Sequence, residues 1–199
     1  MRGEGEHSPE RYGWFRVCWS HFRPFFFYLF GGIGLGILAI VRDRSTWPTL
    51  LGLSLLGLVL WPFLEYAAHR GLHVRARSAR MRAFLYRAHG IHHEAAYTVG
   101  SIFIRFSASA SLSALLFLLF WSVLGAWPKA VALLIGLWGG YLLYEFAHYT
   151  AHFGRPRTRW GRAWQHHHRL HHERDERAYF GVTTPLLDWL FRTRGEEKS

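Results

Sequence analysis

Ten of the fourteen histidines in this chain stand in four clusters at metal-ligand spacing: His69 with His73, His89 with His92 and His93, His148 with His152, and His168 with His171 and His172. Neutral imidazole is a borderline ligand that suits iron, zinc, copper or nickel. Residues four apart share one face of a helix, a turn apart, so His69/His73 and His148/His152 each read as two ligands of one site. In His89-Gly-Ile-His92-His93 and His168-Arg-Leu-His171-His172 the i, i+3 and i+4 positions fan over roughly 100° of a helix, and adjacent histidines point apart. Ten imidazoles are too many for one tetrahedral zinc, but they divide sensibly over two ions that keep positions open for a substrate or an oxygen species. A dinuclear centre is the expectation. The remaining four, His7, His21, His166 and His167, read as solvated loop residues.

Two carboxylates accompany the clusters. Glu65 lies four residues before His69 and Glu145 three before His148, each about one turn deeper in an apolar run. An acid there is costly unless paired, and the expected partner is the outer nitrogen of a ligating imidazole, which the acid would orient. The alternative is a bond to neighbouring Tyr66 or Tyr144.

The elements that must position these groups are apolar helices. Half of the 199 residues are hydrophobic and 18% aromatic, yet Lys+Arg outnumber Asp+Glu by 24 to 13, the mixture expected of membrane spans joined by basic loops. Four spans are predicted, at about Phe25–Val41, Trp47–Leu64 continuing toward His69, Phe106–Trp127 and Ala130–Ala147. Residues Ala126 to Lys129, with Pro128, leave room only for a tight turn between the last two. The fold class is therefore all-α and integral to the membrane, with a polar head at 1–24, a membrane domain at 25–199 and a histidine-rich helical cap. A lone Cys18, read as a small buried residue, excludes an internal disulfide framework and a cysteine-based zinc site.

Basic residues orient the spans. The head, the loop between the second and third spans, and the tail after His152 hold all the Lys and Arg except Arg42, Arg44 and Lys129, which places both termini and all four clusters on the cytoplasmic side. No small-x-small cleavage site follows the first span, so it reads as an uncleaved anchor. Gly31, Gly32, Gly34 and Gly36, and Gly136 with Gly140 at GxxxG spacing, suit close helix packing, and the alternating Ser107, Ser109, Ser111 and Ser113 read as small packing residues of a helix. The run Arg155, Arg157, Arg159 and Arg162 is better explained by anionic head groups than by nucleic acid, and could also meet an acidic electron carrier.

Together Glu65-Tyr-Ala-Ala-His69-Arg-Gly-Leu-His73, His89-Gly-Ile-His92-His93, Tyr144-Glu-Phe-Ala-His148-Tyr-Thr-Ala-His152, His167-His168-Arg-Leu-His171-His172 and Phe180-Gly-Val-Thr-Thr-Pro-Leu-Leu-Asp188-Trp-Leu-Phe191 resemble the boxes of the fatty acid hydroxylase superfamily, over about residues 62–193. Within it they look most like the fatty acyl and ceramide 2-hydroxylases. The first box, HxxxH, is one residue shorter than is usual there and is similar to that of the sterol desaturase branch.

The resemblance implies a membrane-bound monooxygenase with a histidine-bound pair of iron ions, replaceable by zinc, that inserts one atom of O2 into a C–H bond of a lipid acyl chain. The roughly twenty polar residues before the first span are too few for the cytochrome b5 domain fused to many members, so a separate cytochrome b5-like or ferredoxin donor is expected. Two other functions remain open: a sterol or carotenoid hydroxylase or desaturase, and a histidine-rich metal transporter. A transporter should carry its ligands near the middle of its spans, whereas here they gather at the ends.

Overall fold

The computed structural model describes residues 14–42 and 47–195, with side chains from residue 24 onward. His7, most of the polar head and the side chains of Cys18 and His21 lie outside the described residues. Those described form helices α1 (Trp14–Arg42), α2 (Trp47–Leu72), α3 (Ala79–Leu85), α4 (Ile91–Glu94), α5 (Val99–Ile102), α6 (Phe106–Leu124), α7 (Trp127–Phe153), α8 (Arg159–Glu173) and α9 (Leu186–Leu190), with a π-helical turn at Tyr86–Gly90 and no strand among them.

Four stretches are long and apolar enough to cross a membrane: Pro24–Arg42, Trp47–Leu72, Val99–Leu124 and Trp127–Phe153. α7 is the central one. In its most apolar stretch 61% of residues are buried, against 6% in the stretch containing α6, and α1, α2 and α6 all pack on it. The outer helices turn Phe30, Val59, Leu115 and Val123 outward, as lipid-facing helices do when only one stripe meets protein.

Backbone contact sets the α2–α7 spacing. A Cβ on Gly136 would stand 1.9 Å from the Ser54 carbonyl oxygen, one on Gly57 2.2 Å from that of Leu133, and one on Gly140 2.2 Å from Trp61. The predicted GxxxG pair thus lies in a helix–helix seam. The first-span glycines divide differently. Gly32 and Gly36 face Trp138 and Ile135 of α7, while Gly31 and Gly34 face open space. Around the seam Tyr28, Leu134, Trp138, Tyr141, Tyr144 and Val182 form the main core cluster. The serine run is helical, and two of its members bind the core: Ser109 Oγ accepts the Tyr28 hydroxyl at 2.9 Å and Ser113 Oγ the Trp138 indole N–H at 3.0 Å.

The α6–α7 hairpin is tighter than the sequence implies. Gly125, at φ 68°, caps α6 by donating its N–H to Trp121 O at 2.9 Å, and α7 begins two residues later with Pro128 in its first turn. Proline suits that place because the N–H it lacks would have no intrahelical partner. α7 then runs unbroken past the predicted end at Ala147 to Phe153, carrying His148 and His152 on one rigid rod. His73 sits just past the end of α2, in the turn whose N–H bonds Arg70 O.

Candidate metal centre

All ten predicted histidines converge. They form two groups of five, His69, His73, His89, His93 and His171 in one, and His92, His148, His152, His168 and His172 in the other, with ligand nitrogens in each group lying within 4.8 Å of one another. The construction follows helix periodicity. Each group takes an i, i+4 pair from where a long helix ends (69 of α2 with 73 in the turn after it, or 148/152 of α7) and an i, i+4 pair from the cap (89/93, or 168/172 of α8). The i+3 residue of each triplet crosses over: His92 leaves its neighbours for the α7–α8 group, and His171 leaves α8 for the α2 group. Adjacent histidines therefore point apart, as the spacing predicts.

α8 orients His168, His171 and His172 by amphipathicity. It starts at Thr158, whose hydroxyl accepts the Gly161 N–H at 3.1 Å, and buries Gln165, His167, His168 and His171 while Arg162, His166 and Arg169 face outward. Gln165 donates to the carbonyls of Ala151 and Gly154 at 3.0 Å each, and so caps the orphan carbonyls at the end of α7 and fixes α8 against it.

The chain from Ala178 to Thr193 acts as a strap behind the α2 group. Phe180 O accepts from His69 Nδ1 at 2.6 Å and Ala178 O from His171 Nδ1 at 2.7 Å. Each bond fixes the proton on Nδ1 and leaves an Nε2 lone pair facing the group. The strap is held by two acids. Asp188, fully buried, accepts the Phe180 N–H at 2.8 Å, the Gly181 N–H at 2.7 Å, the Thr193 hydroxyl at 2.7 Å and His167 Nε2–H at 3.0 Å. Burial alone would raise this carboxyl, but the bonds from His167, Thr193, Gly181 and Phe180 outweigh it and hold the group below the usual carboxylate range. Glu65 accepts the N–H groups of Val182 at 2.6 Å and Thr183 at 2.9 Å, together with the Thr183 hydroxyl.

These contacts correct two expectations. Rather than imidazole, Glu65 bonds strap backbone and the Thr183 hydroxyl, and Glu145 takes the Ile104 N–H at 3.2 Å. One turn deeper than His69, the inward face of α2 meets residues 182–183 of the strap, so the outer nitrogens of His69 and His171 are served by strap carbonyls instead. His167 is buried on Asp188 and not solvated. A signal was present, since 167 and 171 are four apart and share the inward face of α8. His166 is exposed, as expected. Asp188 stood within a recognisable motif, yet nothing in its spacing assigned it the strap.

The donor set fits a pair of cations. His73 Nε2 and His171 Nε2 are buried without a hydrogen-bond partner. His69 Nε2, a lone pair by its tautomer, stands 2.9 Å from His89 Nε2, and His92 Nε2 lies 3.0 Å from His148 Nε2 and 3.1 Å from His172 Nε2. Converging buried acceptors call for a shared electrophile. The cap imidazoles are also in ligand form at neutral pH. Burial pushes His73 and His92 down to about 3 and lowers His89, His93, His168, His171 and His172 as well, with repulsion from neighbouring imidazoles adding to it at all but His93.

Two cavities reach the histidines, the second with the larger polar share in its lining. An apolar slot of about 450 Å³ between α2, α6 and α7, lined by Leu64, Leu112, Leu116, Leu137 and Trp138, ends at His92. A smaller space of about 140 Å³ continues it past Trp61 and Phe103 to His69, His89 and His148. The second cavity, also about 450 Å³, opens from the cap side on His73, His89 and His93, between Arg75, Arg82 and Arg177.

Four membrane-length helices, capped at one end by paired histidine groups that an apolar slot approaches, define a histidine-box membrane protein. Residues 54–193 match the family model for fatty acid hydroxylases. The chain is 32% identical over 193 residues to the fatty acid 2-hydroxylase of Macaca fascicularis, covering 92% of this chain and 50% of that protein. It is 31% identical over 162 residues to the dihydroceramide fatty acyl 2-hydroxylase FAH2 of Arabidopsis thaliana, covering 79% and 67%. It spans 39–50% of the length of the mammalian relatives it matches. The solved structure "Full length scs7p (only hydroxylase domain visible)" shares the fold, with a TM-score of 0.79 at 21% identity over 89% of this chain and 67% of that one. This chain belongs to the fatty acid hydroxylase family.

Proposed function

We propose that this protein is a di-iron monooxygenase that hydroxylates a lipid acyl chain beside its head group; its relatives are named as 2-hydroxylases of fatty acids and of the fatty acyl chain of dihydroceramide. The observation that carries the reading is the convergence of an apolar slot and two five-histidine groups at one place. His69, His73, His89, His93 and His171 would hold one ion, and His92, His148, His152, His168 and His172 the other. Such a pair, when bound, supplies the activation of O2, one atom of which enters the C–H bond while the other leaves as water.

The chain's own residues do the remaining work. The slot admits an alkyl chain from the bilayer and excludes bulk water from the reacting carbon. The carbonyls of Phe180 and Ala178 keep His69 and His171 in one tautomer, and Asp188, Glu65 and His167 keep those carbonyls in place. Following the basic-loop asymmetry, the cap and both termini face the cytoplasm, where a separate cytochrome b5-like or ferredoxin carrier would bring electrons.

Turnover of the iron-loaded protein in liposomes under ¹⁸O₂ with a reductant tests this. The expected product is a 2-hydroxy acyl lipid carrying one ¹⁸O. Label on a sterol or carotenoid would favour the reading that the short HxxxH box supports. No oxygen-dependent change in any lipid, with iron bound, would sink both.

A further inference from the structure

We propose that the arginine-rimmed cavity on the His73 side is the docking site of an acidic, one-electron carrier protein, so that electrons and substrate reach the histidine cluster through separate openings. The inference rests on the oxygenase reading above and adds the place of entry. Three exposed cations, Arg75, Arg82 and Arg177, rim the cavity against a single acid, Glu176, and its wall includes the imidazoles of His73 and His93. The cavity shares with the apolar slot only the side chains of Leu72 and His89. A carboxylate-rich surface can therefore pair with the arginines and lie over ligand imidazoles without entering the lipid slot. The run Arg155 to Arg162 is equally basic and exposed but borders neither cavity.

The stoichiometry requires two encounters per turnover: RH + O2 + 2 e⁻ + 2 H⁺ gives ROH + H2O, and each reduced carrier is oxidised by one electron. Docking itself needs no redox chemistry, so it can be read on the zinc-loaded protein.

This chain in nanodiscs, zinc-loaded, is titrated with a soluble cytochrome b5-type domain as the acidic probe, at low and at high salt. The combined variant R75E/R82E/R177E is expected to weaken binding at least tenfold at low salt and to flatten the salt dependence, with zinc content unchanged. Reversal of Arg155, Arg157, Arg159 and Arg162 to Glu is expected to leave the affinity within about twofold. On the iron-loaded protein the cavity variant should reoxidise the reduced probe at least tenfold more slowly, while reduction by dithionite through a small mediator is unchanged. Equal losses from both arginine sets, or none from the cavity set, would overturn the proposal. An unchanged carrier affinity with a raised KM for lipid would place the lipid's polar head in the cavity and overturn it as well. If neither the probe nor dithionite reduces the iron-loaded centre, the oxygenase reading itself fails.

Discussion

The two histidine groups have the same plan and different support. The α7–α8 group is held by helix geometry: His148 and His152 ride one continuous rod, and His168 and His172 a second, which Gln165 locks to the first. The outer nitrogens of His92, His148, His168 and His172 have no hydrogen-bond partner among the described residues. The α2 group draws on scattered elements, with His73 in a turn and His171 crossing from α8, and is aligned from behind by strap carbonyls. Ligand spacing alone can place imidazoles when the helices are rigid. Where they are not, a loop has to be anchored to do the aligning, and here that anchor is a buried aspartate.

The sharpest way to break this comparison is to remove one ligand from each group. His148→Ala should abolish activity and lower bound iron from about two ions per chain to about one, and His171→Ala should do the same by emptying the other group. Elemental analysis of the purified variants checks this. Loss of both ions from either change would mean that the groups are not separable.

Removing the anchor comes next. Asp188→Ala leaves the Phe180 and Gly181 N–H groups, the Thr193 hydroxyl and His167 without their acceptor, a change worth about 3–5 kcal/mol at a buried charged site. Thermal unfolding in detergent should show the loss, and the remaining metal should sit in the α7–α8 group. Equal depletion of both groups would deny the strap its selective role.

Acid should act on both groups at once. Burial depresses the cap imidazoles, with His73 and His92 at about 3, below an ordinary histidine value near 6.5. The unfolded chain therefore binds protons that the folded one resists. Stability and metal retention are complete above pH 6.5 and decline as the pH falls toward 3. Melting temperature and metal content measured across that window should fall together, and invariance between pH 7 and 4 would contradict the buried, neutral ligand set.

Much of this was legible in the sequence, for one reason: helical spacing is a property of the chain itself. The i, i+4 pairs, the divergence of His92 from His93 and the small-residue seam at Gly136 and Gly140 all follow from periodicity. What could not be read was built from main chain. The carbonyls of Ala178 and Phe180 and the N–H groups of residues 180–183 have no sequence signature, so spacing offers Glu65 an imidazole instead and gives Asp188 no partner. The crossing partners of His92 and His171 also depend on how four helix ends meet, which spacing does not specify. Adjacent His166 and His167 give the smallest test of this boundary. His167→Ala should lower the melting temperature by a few degrees through Asp188, whereas His166→Ala should leave it unchanged.

Anomalous scattering at the iron edge, from crystals of the iron-loaded protein, tests the central claim most directly. Two peaks per chain are predicted, one enclosed by His69, His73, His89, His93 and His171 and the other by His92, His148, His152, His168 and His172. A single peak, or peaks away from these nitrogens, would contradict it.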